Sequence, residues 1–285
     1  MNNFIKRTIS GIGFAVIMLA AFLTNQYVFG AVMLFALIVM MWEFLRMTCG
    51  NEYKYSQILS ILSGATLFTL IYCCRAFALP GRMTILAFVP VFILMINSLY
   101  VKDKSRFDKF ANLYTAILYI AVPWSVLNFA VFTPEGAFSG KLILCFFCII
   151  WGSDVGAYCF GMLLGQKYGK KLFPSISPKK SWIGFWGGML LAIVVSITLY
   201  KLGWFPDFSN SETTNIVNYI SMAVLLHVVG VYGDLIESQW KRHYNVKDSG
   251  NIIPGHGGLL DRFDSALLAI PIGVIYLVVA DVISL

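Results

Sequence analysis

Nine long apolar runs fill most of this chain, and their continuity constrains the fold more than any other feature. They span approximately Thr8–Thr24, Tyr27–Met47, Ser56–Leu79, Met83–Val101, Ala111–Phe132, Lys141–Leu164, Phe185–Leu202, Asn215–Glu237 and Asp261–Ser284. A membrane-spanning helix needs about 20 mostly apolar residues. The runs do not alternate polar with apolar residues, which excludes a β-barrel and leaves helices as the way to satisfy backbone polar groups in lipid. Composition closes the other routes. The chain is 59% hydrophobic and 12% charged, against roughly 45–50% and about 25% for soluble domains. Its 15% aromatic content does not fit a solvated, disordered coil. The expected fold is all-α: a polytopic integral membrane protein of about nine transmembrane helices.

The positive charges orient those helices. With the N-terminus in the cytoplasm, 17 of the 21 Lys and Arg fall on cytoplasmic ends and loops, leaving Arg75, Arg82, Lys141 and Lys201 opposite. That asymmetry follows the positive-inside rule and places the C-terminus outside the cytoplasm. It also accounts for the net charge of +7, so no nucleic-acid partner is expected. The first run follows Lys6 and Arg7, has no convincing small-residue cleavage site, and reads as a span. Cys145 and Cys148 form a C-x-x-C, but no nearby His or Cys completes a zinc set, and burial as helix filler is expected.

Two regions differ in chemistry. Residues 1–140 hold five spans and little polar chemistry. Residues 141–285 hold four spans and two long polar segments on the cytoplasmic side, Gly165–Gly184 and Ser238–Leu260; catalysis is expected here.

Acids inside spans cost roughly 2.5–3.5 kcal/mol on insertion scales, so Asp154 in Trp-Gly-Ser-Asp-Val-Gly-Ala-Tyr marks a cavity-facing site. Asp154, Tyr158 and Gly161 share one helix face. Gly152/Gly156 and Gly161/Gly165 are small-xxx-small pairs that permit close helix packing. Asp234, Glu237, Ser238 and Lys241 form a polar stripe at i, i+3, i+4, i+7, and Asp261 and Asp264 are i, i+3 at the start of the last run. Three aspartates from two helix ends suit a hard cation such as Mg²⁺; interfacial salt bridges with Lys241, Arg242 and Arg262 are the alternative. Between them runs Lys247-Asp248-Ser-Gly-Asn-Ile-Ile-Pro-Gly255-His256-Gly257-Gly258, whose glycines permit close approach of backbone to a ligand. As a single histidine, His256 is expected to be a structural hydrogen-bonding group. Ser177, Lys179 and Lys180 place cations beside a hydroxyl, a combination that suits phosphate; an interfacial anchor of Lys and Trp is the alternative. Acids for a cation, with bases and glycines for phosphates, point to phosphoryl or nucleotidyl transfer to a lipid.

At these residues the chain resembles the phosphatidate cytidylyltransferases, or CDP-diacylglycerol synthases. The resemblance rests on Ser238-x-x-Lys241-Arg242, Lys247-Asp248-Ser249-Gly250 and Pro254-Gly255-His256-Gly257-Gly258-x-x-Asp261-Arg262-x-Asp264. It extends to Gly233-Asp234-Leu235-x-Glu237-Ser238, to Asp154-x-x-Ala157-Tyr158-x-x-Gly161-x-x-x-Gly165 and to Ile176-Ser177-Pro178-Lys179-Lys180-Ser181-Trp182-x-Gly184. It is close over about residues 150–270. Two positions depart from the family pattern: Ile183 replaces its usual Glu, and Trp240 an aliphatic residue.

The resemblance implies the reaction of CTP with phosphatidate to give CDP-diacylglycerol and pyrophosphate, at the cytoplasmic face of the cell inner membrane. It implies a Mg²⁺ centre on Asp234, Asp261 and Asp264, with K⁺ as a candidate second cation. Lys241, Arg242 and Arg262 join those aspartates as catalytic residues. Substrate binding falls to Asp154, Tyr158, Ser177, Lys179, Lys180, Ser238, Lys247, Asp248, Gly255, His256, Gly257 and Gly258. The bilayer is the remaining partner, and a homodimer is compatible with the pattern. Two other readings stay open on the sequence: a related lipid nucleotidyltransferase with another lipid phosphate acceptor, and a transporter of anions.

Overall fold

The computed structural model describes residues 3–283 apart from 103–105, 134–135, 167–168, 206–207, 209 and 256. The fold is 77% helical. In chain order the helices are α1 (Asn3–Leu23), α2 (Gln26–Cys49), α3 (Lys54–Ala76), α4 (Gly81–Tyr100), α5 (Phe107–Val131), α6 (Lys141–Gly165), α7 (Trp182–Lys201), α8 (Glu212–His243) and α9 (Leu260–Val279). Among the described residues, α2 to α9 are each long and apolar enough to cross a membrane, whereas the apolar part of α1, Thr8–Leu23, is shorter. The protein is therefore an all-α, multi-pass membrane protein.

Among the described residues, several features depart from plain rods; α4 opens with a 3₁₀ stretch at Gly81–Ala87 and α6 ends in a π turn at Gly161–Gly165. The segment α5 changes pitch: it opens with a 3₁₀ turn at Phe107–Phe110 and carries a π turn at Ile117–Ala121. The polar segment after α6 folds into a small hairpin of β1 (Lys171–Phe173) and β2 (Ser177–Ser181), antiparallel, with Lys171 opposite Ser181 and Phe173 opposite Ser177. And α8 has 32 residues, about 48 Å at 1.5 Å per residue, well beyond the roughly 30 Å hydrocarbon core.

The chain forms two compact units, and the first is not continuous in sequence. It comprises Met1–Asn128, Phe132–Ser139 and His243–Phe263. Its helices begin and stop for local reasons. Asn25 caps α2 by accepting from the Tyr27 and Val28 amides at 3.0 and 3.1 Å, groups that would otherwise lack partners. Gly50 ends α2 at φ 62°, a conformation that suits glycine. In the core, the buried Trp124 indole donates to the Met33 carbonyl at 2.9 Å and meets the Phe263 ring edge-on at 4.7 Å. Ser60 donates to the Leu113 carbonyl at 2.7 Å, joining α3 to α5.

The second unit comprises Phe129–Val131, Gly140–Arg242 and Asp264–Leu285. Here α6 and α7 run in close contact. A methyl group on Gly156 would lie 2.7 Å from the Gly187 carbonyl, so hydrogen is the only side chain this crossing accepts. The buried Ser153 hydroxyl of α6 is hydrogen-bonded at 2.7 Å to the His227 ring of α8, and the Phe185 ring of α7 lies 4.6 Å from it. His227 is thus a buried structural hydrogen-bonding group, and three helices converge on it. The free cysteines Cys145 and Cys148 lie buried and half-buried in α6.

Candidate active site

In the second unit the polar groups converge on a cavity of about 430 Å³. Its wall includes Asp154, Tyr158 and Gly161 of α6, Lys179, Lys180 and Ser181 of β2, Gly184 of α7, Asp234 of α8 and Ser265 of α9. The α6 face forms because residues four and three apart lie above one another on a helix. The hairpin is anchored at both ends. Ser181 caps α7, accepting from the Gly184 amide at 3.2 Å, and Gln166 donates to the Lys179 carbonyl at 2.8 Å. Lys171 in turn donates to the Gln166 side chain at 2.8 Å.

The hairpin brings its lysines to the acids. Lys180 Nζ lies 2.6 Å from Asp234 Oδ2, and Ser238 donates to Asp234 Oδ1 at 3.2 Å. One turn along α8, the fully buried Glu237 pairs with Lys241 at 2.6 Å. The helix α9 closes on this stripe at Gly233, where an added methyl would lie 2.6 Å from the Asp264 carbonyl. The outcome is a carboxylate group of Asp234, Glu237 and Asp264, with one oxygen from each lying within 4.8 Å of the others. Hard oxygen donors at this spacing fit a small divalent cation. Arg242 reaches the hairpin turn, donating from Nε to the Ile176 carbonyl at 3.4 Å; Ser177 begins the strand just after it.

In the first unit, the loop after α8 leads into α9. Lys247 and Asp248 are exposed on it, and Arg262 is exposed in the first turn of α9. Gly255 and Gly257 adopt φ values of 78° and 88°, the left-handed region that glycine enters without strain. Ile253 and Gly257 pair across the bend, with the Ile253 amide donating to the Gly257 carbonyl at 3.0 Å. Asp261 binds this loop: its carboxylate accepts from the Ser249 amide at 3.0 Å and from the Gly258 amide at 2.7 Å. Gly258 is buried. His256 lies outside the described residues.

Of the expected trio of aspartates, Asp234 and Asp264 lie in the second unit and Asp261 in the first. The third carboxylate beside Asp234 and Asp264 is Glu237, and Asp261 engages loop amides. The reason is local: Asp261 stands in the first turn of α9, where backbone amides attract a carboxylate. Sequence reasoning placed Glu237 on the polar stripe without assigning it a ligand role. It quoted Ser181 only within the family resemblance, and passed over Glu43 and Gln166. Glu43 is an acid inside an apolar run, the same signal that singled out Asp154.

The comparisons agree with this architecture. Residues 5–280 match the cytidylyltransferase family, and the chain belongs to that family. It is similar to a protein of Staphylococcus haemolyticus named phosphatidate cytidylyltransferase, 32% identical over 260 residues, covering 90% of this chain and 94% of the relative. A protein of the same name from Staphylococcus epidermidis is 32% identical over 241 residues, covering 84% and 87% of the two chains. Another of that name, from Staphylococcus aureus strain COL, is 37% identical over 165 residues, covering 58% and 60%. The protein is a membrane-embedded enzyme of the cytidylyltransferase class.

Proposed function

We propose that this protein transfers the cytidylyl group of CTP to phosphatidate, giving CDP-diacylglycerol and pyrophosphate, at the cytoplasmic face of the cell inner membrane. The observation that carries this reading is the convergence of Lys179, Lys180, Asp154 and Asp234 on one cavity, in a chain whose relatives bear that name along most of its length. In the proposed arrangement the N-terminus is cytoplasmic and the C-terminus is outside. The spans after residue 140 supply the cavity.

In the reaction, a phosphate oxygen of phosphatidate attacks the α-phosphorus of CTP. The bond to the β-phosphate breaks, and pyrophosphate leaves. The second pKa of a phosphate monoester is about 6, so the nucleophile is largely dianionic at neutral pH and requires no strong protein base. The obstacle is repulsion between two polyanions. Lys179, Lys180, Lys241 and Arg242 of the second unit supply positive charge against it; in the first unit, Arg262 and the glycine-rich loop are the proposed phosphate-binding groups. Catalysis then rests on positioning and preorganised charge.

Asp234, Glu237 and Asp264 would hold Mg²⁺, which supplies charge neutralisation on the phosphates when bound. The donor set fits that ion: three carboxylates converge from two helices. Pyrophosphate release measured with each of the four NTPs in turn, with phosphatidate in detergent micelles, tests the reading. Release that depends on CTP and on phosphatidate is the expected result; release with another nucleotide, or with another lipid phosphate in preference, refutes it.

A further inference from the structure

We propose that Glu43 is a positioning residue that anchors the glycine-rich loop and the first turn of α9. The inference rests on the reading of that loop as the phosphate-binding segment. Glu43 sits in α2 within Val-Met-Met-Trp-Glu-Phe-Leu-Arg and is 0% exposed. An acid at such a place is expensive, and packing of apolar helices gives no reason for one. Its contacts supply the reason. Glu43 Oε2 accepts from the Leu260 amide at 2.8 Å, at the first residue of α9, where the peptide dipoles favour an anion.

The loop backbone also closes onto this carboxylate at two glycines. A methyl on Gly258 would lie 2.7 Å from Oε2 and 2.8 Å from Oε1, and would overlap the Ser249 hydroxyl. A methyl on Gly250 would overlap Glu43 Oε1. Hydrogen is the only side chain that fits at either position while Glu43 stays in place. The loop is therefore held by two acids. Asp261 takes the amides of Ser249 and Gly258, and Glu43 takes the amide of Leu260 and fills the space under Gly250 and Gly258. Losing Glu43 frees the loop to move as a whole relative to its neighbours, which weakens capture of a nucleotide triphosphate more than it slows the bound complex.

The test combines kinetics with hydrogen exchange on the full-length protein in detergent. Glu43→Leu removes the acceptor; Glu43→Gln keeps the shape and one acceptor oxygen. Gly250→Ala perturbs the same contact from the loop side. Glu43→Leu should raise KM for CTP by about tenfold, the scale of one charge-assisted hydrogen bond, with kcat within about twofold of wild type. Amide exchange should quicken across residues 247–260 and stay unchanged in the other spans. Glu43→Gln should lie between Glu43→Leu and wild type, and Gly250→Ala should reproduce the pattern. Where Glu43→Leu does not fold, the other two variants decide. Wild-type KM for CTP together with unchanged loop exchange in the variants overturns the proposal. So does faster exchange throughout the spans, which marks Glu43 as a general packing residue. The exchange readout needs no substrate, so failure of the anchor is distinguishable from failure of the cytidylyl-transfer reading, which the wild-type assay judges alone.

Discussion

Lys180 and Asp234 stand 2.6 Å apart, each about a quarter to a third exposed, so the hairpin delivers a cation directly to the acid at the centre of the carboxylate group. The pair gives Lys180 two duties, as counter-charge to Asp234 and as a phosphate contact.

The first prediction follows from that pair. Lys180→Ala should lower kcat/KM for CTP by at least tenfold, since charged hydrogen bonds contribute about 1.5–3 kcal/mol. Initial rates over a range of CTP concentrations measure it. Wild-type kinetics would reduce Lys180 to a counterion of Asp234.

Asp234→Asn, Glu237→Gln and Asp264→Asn should each abolish CDP-lipid formation, because each removes a charge from the carboxylate group while keeping size. Asp261→Asn should be milder and act on KM for CTP, since that carboxylate binds the Ser249 and Gly258 amides. EDTA should stop the wild-type reaction and Mg²⁺ should restore it. His256→Ala should be less damaging than Asp264→Asn, as a dianionic phosphate needs no general base. A dead His256→Ala beside an active Asp264→Asn would replace this mechanism with a general-base one.

Gly233→Ala tests the crossing of α8 and α9. The added methyl would lie 2.6 Å from the Asp264 carbonyl, so the helices must separate, at a cost of about 1–3 kcal/mol. Thermal unfolding should come at a lower temperature, and activity should fall with it. An active variant with unchanged unfolding would show that the crossing has slack.

Ile183→Glu should be tolerated. Ile183 is half-buried in the first turn of α7, next to the Ser181 cap, and an acid in a first turn is favoured by about 0.3–1 kcal/mol. Assay and melting of the purified variant should match or exceed wild type; loss of activity would show that Ile183 is required as an apolar wall.

Orientation can be read by labelling intact cells with an impermeant thiol reagent, in a background without the six native cysteines. Cysteine at Ser211 should label and cysteine at Ser177 should not. The reverse pattern would place the cavity outside the cytoplasm and remove it from a cytoplasmic nucleotide.

The spans were legible because an apolar run of bilayer length has few other physical outcomes. Their ends were less so: the charged turns Glu212 and Ser238–His243 continue α8 although hydropathy fades there. The hairpin was not legible. Ser177-Pro-Lys-Lys-Ser181 has no alternation, and Pro178 is usually excluded from paired strands; the strand is held by Gln166 at the Lys179 carbonyl and by the Ser181 cap of α7. Helix spacing correctly put Asp234 with Glu237 and Asp261 with Asp264 on shared faces. It could not tell that Asp264 would lie with Asp234 and Glu237 while Asp261 accepts from the Ser249 and Gly258 amides, because that depends on the loop backbone. Glu43 was missed for a different reason. It carried the same local signal as Asp154, an acid inside an apolar run, but its role rests on a partner, Leu260, 217 residues away, which no local pattern reveals.

The same separation sets a timetable for biosynthesis. The first unit draws its last segment, His243–Phe263, from near the end of the chain, so the earliest spans to enter the membrane wait for one of the last to be synthesised before their buried acid acquires its amide. Until then Glu43 is an uncompensated carboxylate in an apolar helix. A chain cut short after α8 loses more than one helix: it leaves the amino-terminal half without its own keystone, and such a fragment should be an early substrate for membrane quality-control proteases.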